Sequence, residues 1–240
     1  MSRVLTKKEW RRRRRIKNRI MLTLALLLMI MILMISIFLL REIASEYFNI
    51  GKNTIETLSA SLTEGLMIEQ QYLTPNDYSR PEIPLKKIRG VVIHYTANPN
   101  TSAQNNRNYF ESLAEKETTS ASSHYIIGLE GEIIQCIPMT EIAYASNERN
   151  ADTISIECCH PDTSGKFTKA TYEALVSLTA ALCVEFDLQE KDIIRHYDVT
   201  GKLCPLYFVE HEDDWKRFKR EVMIEAVMLE SRAELIDKGH

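Results

Sequence analysis

Glycine and proline are scarce in this chain, 8 and 7 of its 240 residues, which excludes collagen-like and low-complexity sequences. Five cysteines are too few to staple a domain of this length, so the fold has to rest on a hydrophobic core. A hydrophobic content of 45% supplies that core and excludes generic disorder. Basic residues are missing where a nucleic-acid partner would need them. Ten of the 30 Lys and Arg lie within residues 1–19, where Glu9 is the only acid, leaving 20 bases and 32 acids elsewhere, a net charge of −12. So acidic a body offers little to a phosphate backbone, and no nucleic-acid partner is expected.

Charge is absent altogether from residues 20–40 (IMLTLALLLMIMILMISIFLL), where only Thr23 and Ser36 interrupt the apolar run. At about 1.5 Å rise per residue a helix of this length spans a roughly 30 Å hydrocarbon core. The run closes on Ile37, Phe38, Leu39 and Leu40, without the small residues of a signal-peptide cut site, so a retained transmembrane anchor is expected. Arg11 to Arg15, Lys17 and Arg19 precede it, whereas Arg41 follows with Glu42 and Glu46. That asymmetry predicts a single-pass cell-membrane protein with residues 1–19 as a basic cytoplasmic tail and everything after Leu40 extracellular.

Residues 41–84 read as a stalk and linker. Ile55, Leu58, Leu62 and Leu66 recur at spacings of three or four, which fits either a solvated spacer helix or a short self-associating coil. Three prolines among polar residues in the stretch 74–84 (TPNDYSRPEIP) suit a linker, placing the start of a domain near Leu85. Within 85–240, strand-like segments (88–95, 122–127, 132–137, 153–158, 191–196) interleave with helical ones. A polar-faced helix is expected from Ser102 to residue 116. A second, capped by Thr168, should turn Tyr172, Leu175, Leu178, Leu182 and Phe186 inward. A long C-terminal helix should carry Trp215, Phe218 and Val222. The pattern predicts a single α/β domain with a central, mostly mixed sheet flanked by helices, preceded by one transmembrane helix and a stalk.

Chemistry-bearing residues gather where the strands should stop. His94 ends the first strand, His196 ends the last, and Cys204 follows eight residues later in HYDVTGKLCP. Imidazole nitrogen and thiolate sulfur are good zinc ligands, and three protein ligands leave a fourth position for water or substrate.

Four segments then carry a resemblance: VVIHYTANP (91–99), SSHYIIGLEGEIIQ (122–135), DTISIECCHPD (152–162) and HYDVTGKLCP (196–205). Together and in this order they resemble the zinc-dependent N-acetylmuramoyl-L-alanine amidases, a family that includes the phage lysozyme-type amidases and is similar to the peptidoglycan recognition proteins. The resemblance implies that His94, His196 and Cys204 hold Zn2+, with Cys204 standing where other members use Asp. It implies that Lys202 stabilises an oxyanion and that Glu157 is a general base. Phage members have a tyrosine at the place of Ser123, so that role does not transfer. Tyr125, His124, His160 and Asp198 are possible substrate contacts or supports of the ligands, and Asn147 in YASNERN is a further possible substrate contact. Of the remaining cysteines, Cys136, Cys158, Cys159 and Cys183 are expected as buried thiols, a bridge from Cys136 to Cys158 or Cys159 being the alternative.

Two functions follow. One is a membrane-anchored zinc amidase cutting the bond between N-acetylmuramic acid and L-alanine in peptidoglycan or muropeptides. The other is a non-catalytic recognition module on the same fold, and fold alone does not separate them.

Overall fold

The computed structural model describes residues 21, 24, 27–43 and 66–237, with side chains as far as residue 233. The basic tail and most of the stalk, including Ile55, Leu58 and Leu62, lie outside the described residues. The chain divides into two units, residues 1–57 and 58–240. In the first, residues 27–43 form helix α1, whose apolar side chains are exposed, Leu28 by 53% and Met34 by 64%. Positions 20, 22, 23, 25 and 26 of the apolar run fall outside the described residues. Among those described, no helix is long and apolar enough to cross a membrane.

The second unit is built on a six-stranded mixed sheet. In chain order its strands are β1 (Ile68–Gln70), β2 (Val91–Tyr95), β3 (Tyr125–Ile127), β4 (Ile133–Gln135), β5 (Ile154–Cys158) and β6 (Ile193–Arg195). They lie in the order β1-β4-β3-β5-β2-β6, with only the β3–β4 pair antiparallel. That pair is a hairpin, turning at Gly131, where φ is +85°. β2 and β5 are central, flanked on both sides and covered on both faces, which is why β2 opens on the continuous apolar run Val91–Ile93, while β5 keeps Ile154, Ile156 and Cys158 on the α3 face.

Helix α2 (Ala103–Lys116) starts where Ser102 accepts a hydrogen bond from the Asn105 backbone N–H, and Asn105 answers by accepting from the Ser102 N–H. It lays Ala103, Phe110 and Leu113 on one sheet face with Ile126 and Ile134. Helix α3 (Lys169–Phe186) begins at Thr168, whose hydroxyl accepts from the Thr171 N–H, and ends at Asp187 in the left-handed region. With α6 (Glu212–Asp237) it covers the other face, where Leu175, Leu178, Trp215, Phe218 and Val222 pack on Val91, Ile93, Ile154 and Ile156. Of the residues expected on the inner side of α3, Leu175, Leu178 and Leu182 are buried, while Tyr172 and Phe186 sit at the margin. Two short helices, α4 (His196–Thr200) and α5 (Leu206–Glu210), link β6 to α6. All five cysteines are buried free thiols.

Two boundaries differ from the sequence reading. β1 comes from the stretch read as stalk: it pairs with β4, Leu73 behind it is 1% exposed, and Arg80 forks onto Glu141 with two 2.8 Å hydrogen bonds. The folded domain therefore includes residues from Leu66 on, and a three-residue edge strand leaves no periodicity to find. His196 does not end a strand. β6 stops at Arg195, and Asp198 accepts from the Arg195 N–H, starting α4 at His196.

Candidate metal centre

His94 is the fourth residue of β2, and its register partner on the parallel neighbour β5 is Glu157. Directly paired residues of parallel strands point to the same face, so the two side chains share the α2 side of the sheet. His196 enters from the adjacent end of β6. Cys204 returns to them because α4 is only five residues long and ends at Gly201, where φ is +77°. Glycine takes that conformation without a side-chain clash and turns the chain back. The loop then closes through a 2.9 Å hydrogen bond from the Tyr197 N–H to the Cys204 carbonyl.

The three donors converge. Ligand atoms of His94, His196 and Cys204 lie within 4.8 Å of one another, and all three residues are buried. Cys204 Sγ is 3.8 Å from His94 Nδ1, and the two imidazole rings are 4.7 Å apart centre to centre. With zinc–nitrogen and zinc–sulfur bonds of about 2.0 and 2.3 Å in a tetrahedral shell, two such ligands sit roughly 3.6 Å apart, so the donor set fits zinc. The outer nitrogens are occupied. His94 Nε2 is 3.0 Å from Ser146 Oγ, and His196 Nε2 is 3.2 Å from Asn147 Oδ1. An amide oxygen accepting from His196 Nε2–H leaves the Nδ1 lone pair for a cation.

Electrostatics points the same way. Burial, then the neighbouring His196 and Lys202, holds the His94 imidazole well below its usual range. His196 is lowered by burial and by Lys202. Burial pushes the Cys204 thiol up to about 12, with Glu157 adding to the effect. Imidazoles held neutral are ready to bind a divalent cation, and the buried thiol would bind as thiolate, the charge of the cation offsetting the burial that raises it. Glu157 is raised to about 8 by burial, with Lys202 pulling the other way, and its Oε2 is sealed from solvent without a hydrogen-bond partner. An unpartnered buried carboxylate oxygen beside a cluster of donors marks Glu157 as a candidate functional group. These residues, with Lys202, Tyr95, Phe110, Tyr144 and Asn150, line a cleft of about 340 Å³.

The family model described as N-acetylmuramoyl-L-alanine amidase matches residues 84–206, half of the chain and all of the donor-bearing segments. The chain belongs to this family. It is 31% identical over 169 residues to the N-acetylmuramoyl-L-alanine amidase CwlL of Bacillus licheniformis, covering 65% of this chain and 46% of that protein. To BlyA of Bacillus subtilis it is 32% identical over 172 residues, with 63% and 45% covered. The chain thus spans about half the length of the curated relatives it matches. Among solved structures, the catalytic domain of XlyA superimposes with a TM-score of 0.55 at 25% identity, covering 65% of this chain and 99% of that one. PlyL, at 22% identity and a TM-score of 0.57 over 65% and 97%, shares the fold.

Set against this amidase-family cleft, the other expected site residues fall elsewhere. Tyr125 is not in it. The register pairs Ile126, not Tyr125, with Glu157, so Tyr125 faces α3 and is 3% exposed within that core. His124 is a structural group: Nδ1 accepts from the Ser155 N–H at 3.0 Å, and Nε2–H donates to the Glu141 carbonyl at 2.9 Å. Burial lowers it to about 4. His160 holds the Asp162 carbonyl through Nδ1 at 2.7 Å, with its ring tilted against Tyr95 at 5.1 Å between centres, outside the cleft lining. Asp198 does not touch a ligand imidazole; it pairs with Arg195 at 2.8 Å. Sequence reasoning missed Ser146 altogether and gave Asn147 to the substrate rather than to His196. The pointer was the small polar run YASNERN, where Asn150 Oδ1 accepts from the N–H groups of Ala145 and Ser146, and Asn147 takes φ +53°, a region asparagine tolerates.

Proposed function

We propose that this chain is a zinc-dependent amidase that hydrolyses the amide between the lactyl group of N-acetylmuramic acid and the L-alanine opening the stem peptide of peptidoglycan. The observation that supports this reading is one cleft holding His94, His196 and Cys204 with the unpartnered carboxyl of Glu157. In the reading, those three residues hold the metal, and zinc supplies an activated water at neutral pH and polarises the scissile carbonyl.

The remaining steps belong to side chains of the chain itself. Glu157 starts near pKa 8 without metal. Lys202 pulls that value down, as a metal held by the three donors would, and a carboxyl titrating near neutrality takes a proton from water and hands it to the departing amine with little loss either way. Lys202 lies close enough to act on His94, His196, Glu157 and Cys204 alike. In this reading its fixed charge meets the negative oxygen that develops on the carbonyl during attack. Ser146 and Asn147 keep the two imidazoles turned toward the metal.

The proposal also places the apolar run 20–40 in the cell membrane, with the basic tail inside and the cleft outside, facing the wall. Incubating the purified full chain with peptidoglycan, with and without a chelator, and identifying new ends by mass spectrometry tests it. Free L-alanine amino termini that vanish with the chelator are expected. A zinc-loaded protein that retains muropeptide yet releases no stem peptide assigns the chain to the recognition-module class instead.

A further inference from the structure

Arg195 is a buried cation that the proposed chemistry does not use. Its side chain is 8% exposed. Nη2 donates to Asp198 Oδ1 at 2.8 Å, Nη1 donates to Glu212 Oε2 at 2.8 Å and to the Phe208 carbonyl at 2.9 Å, and Nε faces both Asp198 oxygens. The guanidinium carbon also lies 5.2 Å from the Trp215 ring centre and 5.4 Å from that of Tyr197. These partners sit on either side of one stretch of chain. Asp198 lies in α4, just after His196; Phe208 lies in α5, just after Cys204 and Pro205; Glu212 and Trp215 open α6. One guanidinium therefore pins both ends of the loop that carries two of the three donors.

We propose that Arg195 is a positioning residue for the metal centre, and that through Phe208, Glu212 and Trp215 it makes α5 and α6 part of the support that fixes His196 and Cys204 relative to His94. The inference rests on reading those three residues as metal ligands. It goes further in that the outer partners, Phe208, Glu212 and Trp215, lie beyond residues 84–206, so the support is supplied by chain outside the stretch matched to the family. The physical reason is geometric. A planar fork with five donors holds three acceptors in fixed relative directions, whereas the ammonium of lysine is a compact point charge that fixes none of them.

The test uses the full chain with cobalt(II) as the probe, in wild type, Arg195→Lys and Glu212→Gln. Chelator competition reads affinity, visible absorption reads the thiolate-to-cobalt band, and circular dichroism with a denaturant melt reads the fold. Arg195→Lys should bind cobalt roughly 10- to 100-fold more weakly, the range seen when outer partners of metal ligands are changed, with a weakened thiolate band. Glu212→Gln replaces a half-exposed partner and keeps its shape, so it should fold normally and lose several-fold. A merely structural arginine predicts something else: a lower melting midpoint with affinity and spectrum unchanged in the folded protein. That result overturns the inference while leaving the ligand assignment intact. A wild type that takes up no cobalt overturns the ligand assignment and the inference together.

Discussion

Glu157→Gln should move stability and turnover in opposite directions. In the metal-free protein the Glu157 carboxyl is raised from an ordinary 4.5 to about 8 by burial. The residue as a whole is only partly buried, but Oε2 is sealed and unpartnered, so the charge itself is in the interior. A group whose folded pKa lies above its unfolded pKa stabilises the fold below the unfolded value and loses that contribution as pH rises through the folded one. At about 1.36 kcal/mol per pKa unit, the contribution from Glu157 falls by roughly 3 kcal/mol between pH 5 and pH 8. Glutamine has no such dependence. Other titrating groups, His124 among them, are common to both proteins and cancel in the difference.

Urea melts of metal-free wild type and Glu157→Gln at pH 5 and pH 8 therefore read Glu157 alone. The variant should gain on wild type by up to about 3 kcal/mol at pH 8 relative to pH 5, the amide itself remaining a poorly partnered buried group at both. Zinc-loaded Glu157→Gln should meanwhile lose roughly 100- to 10000-fold in turnover, and the acidic limb of its pH profile should flatten. A stability difference that stays constant from pH 5 to pH 8 would refute the buried-carboxylate argument, and normal turnover would remove Glu157 from the proton transfer.

Cys204→Ser should cut zinc affinity by roughly 100-fold or more, beyond what outer-partner changes cost, because a serine hydroxyl does not ionise as a thiol does. Full zinc occupancy in a folded His94→Ala, Cys204→Ser double variant would dismiss this ligand set. Lys202→Ala should keep fold and metal but lose roughly 100- to 1000-fold in kcat, with KM little changed, because the charge it meets develops only during reaction. Unchanged kcat in the zinc-loaded variant would end that assignment. For the membrane proposal, protease added to cells stripped of wall should digest the domain after Leu40; survival of the domain while a control external domain is cut would reverse the topology.

Legibility in the sequence followed the strength of the local signal. β2 and β5 announced themselves as β-branched runs, and α2 and α3 as amphipathic stretches behind Ser102 and Thr168, because in each the chain's own neighbours set the conformation. β1 was invisible, since IEQ on a sheet edge has no periodicity and acquires its meaning only from Ile133 and Gln135 across the ladder. The donors were found by residue type and motif, but their supports were not. Ser146 and Asn147 act through side-chain orientation in a loop, and Arg195 through partners 13 and 17 residues away, none of which a spacing rule encodes. Tyr125 was misplaced because alternation fixes which residues share a face, whereas the register with β5 decides which face that is.

That same register explains why only one of the cysteines in this region joins the cluster. β5 runs Ile154–Cys158, and with Glu157 opposite His94 its next residue, Cys158, must turn to the α3 side, where it packs with Ile127 and Phe167 in the apolar core. Cys159 turns back to the α2 side but lies two positions past Glu157, beneath α2, where Asn106 Nδ2 approaches its sulfur at 3.5 Å. Burial holds both thiols above their ordinary range, Cys159 at about 12. Among the described residues neither belongs to a group of three donors that could hold a cation, whereas Cys204, with a thiol raised as far as that of Cys159, has two imidazoles beside it. Convergence, and not the acidity of the thiol, sets Cys204 apart. A one-residue slip of β5 would exchange Glu157 for Cys158 in the cleft and push a carboxylate into the α3 core, a change the long apolar contacts of Ile154 and Ile156 forbid.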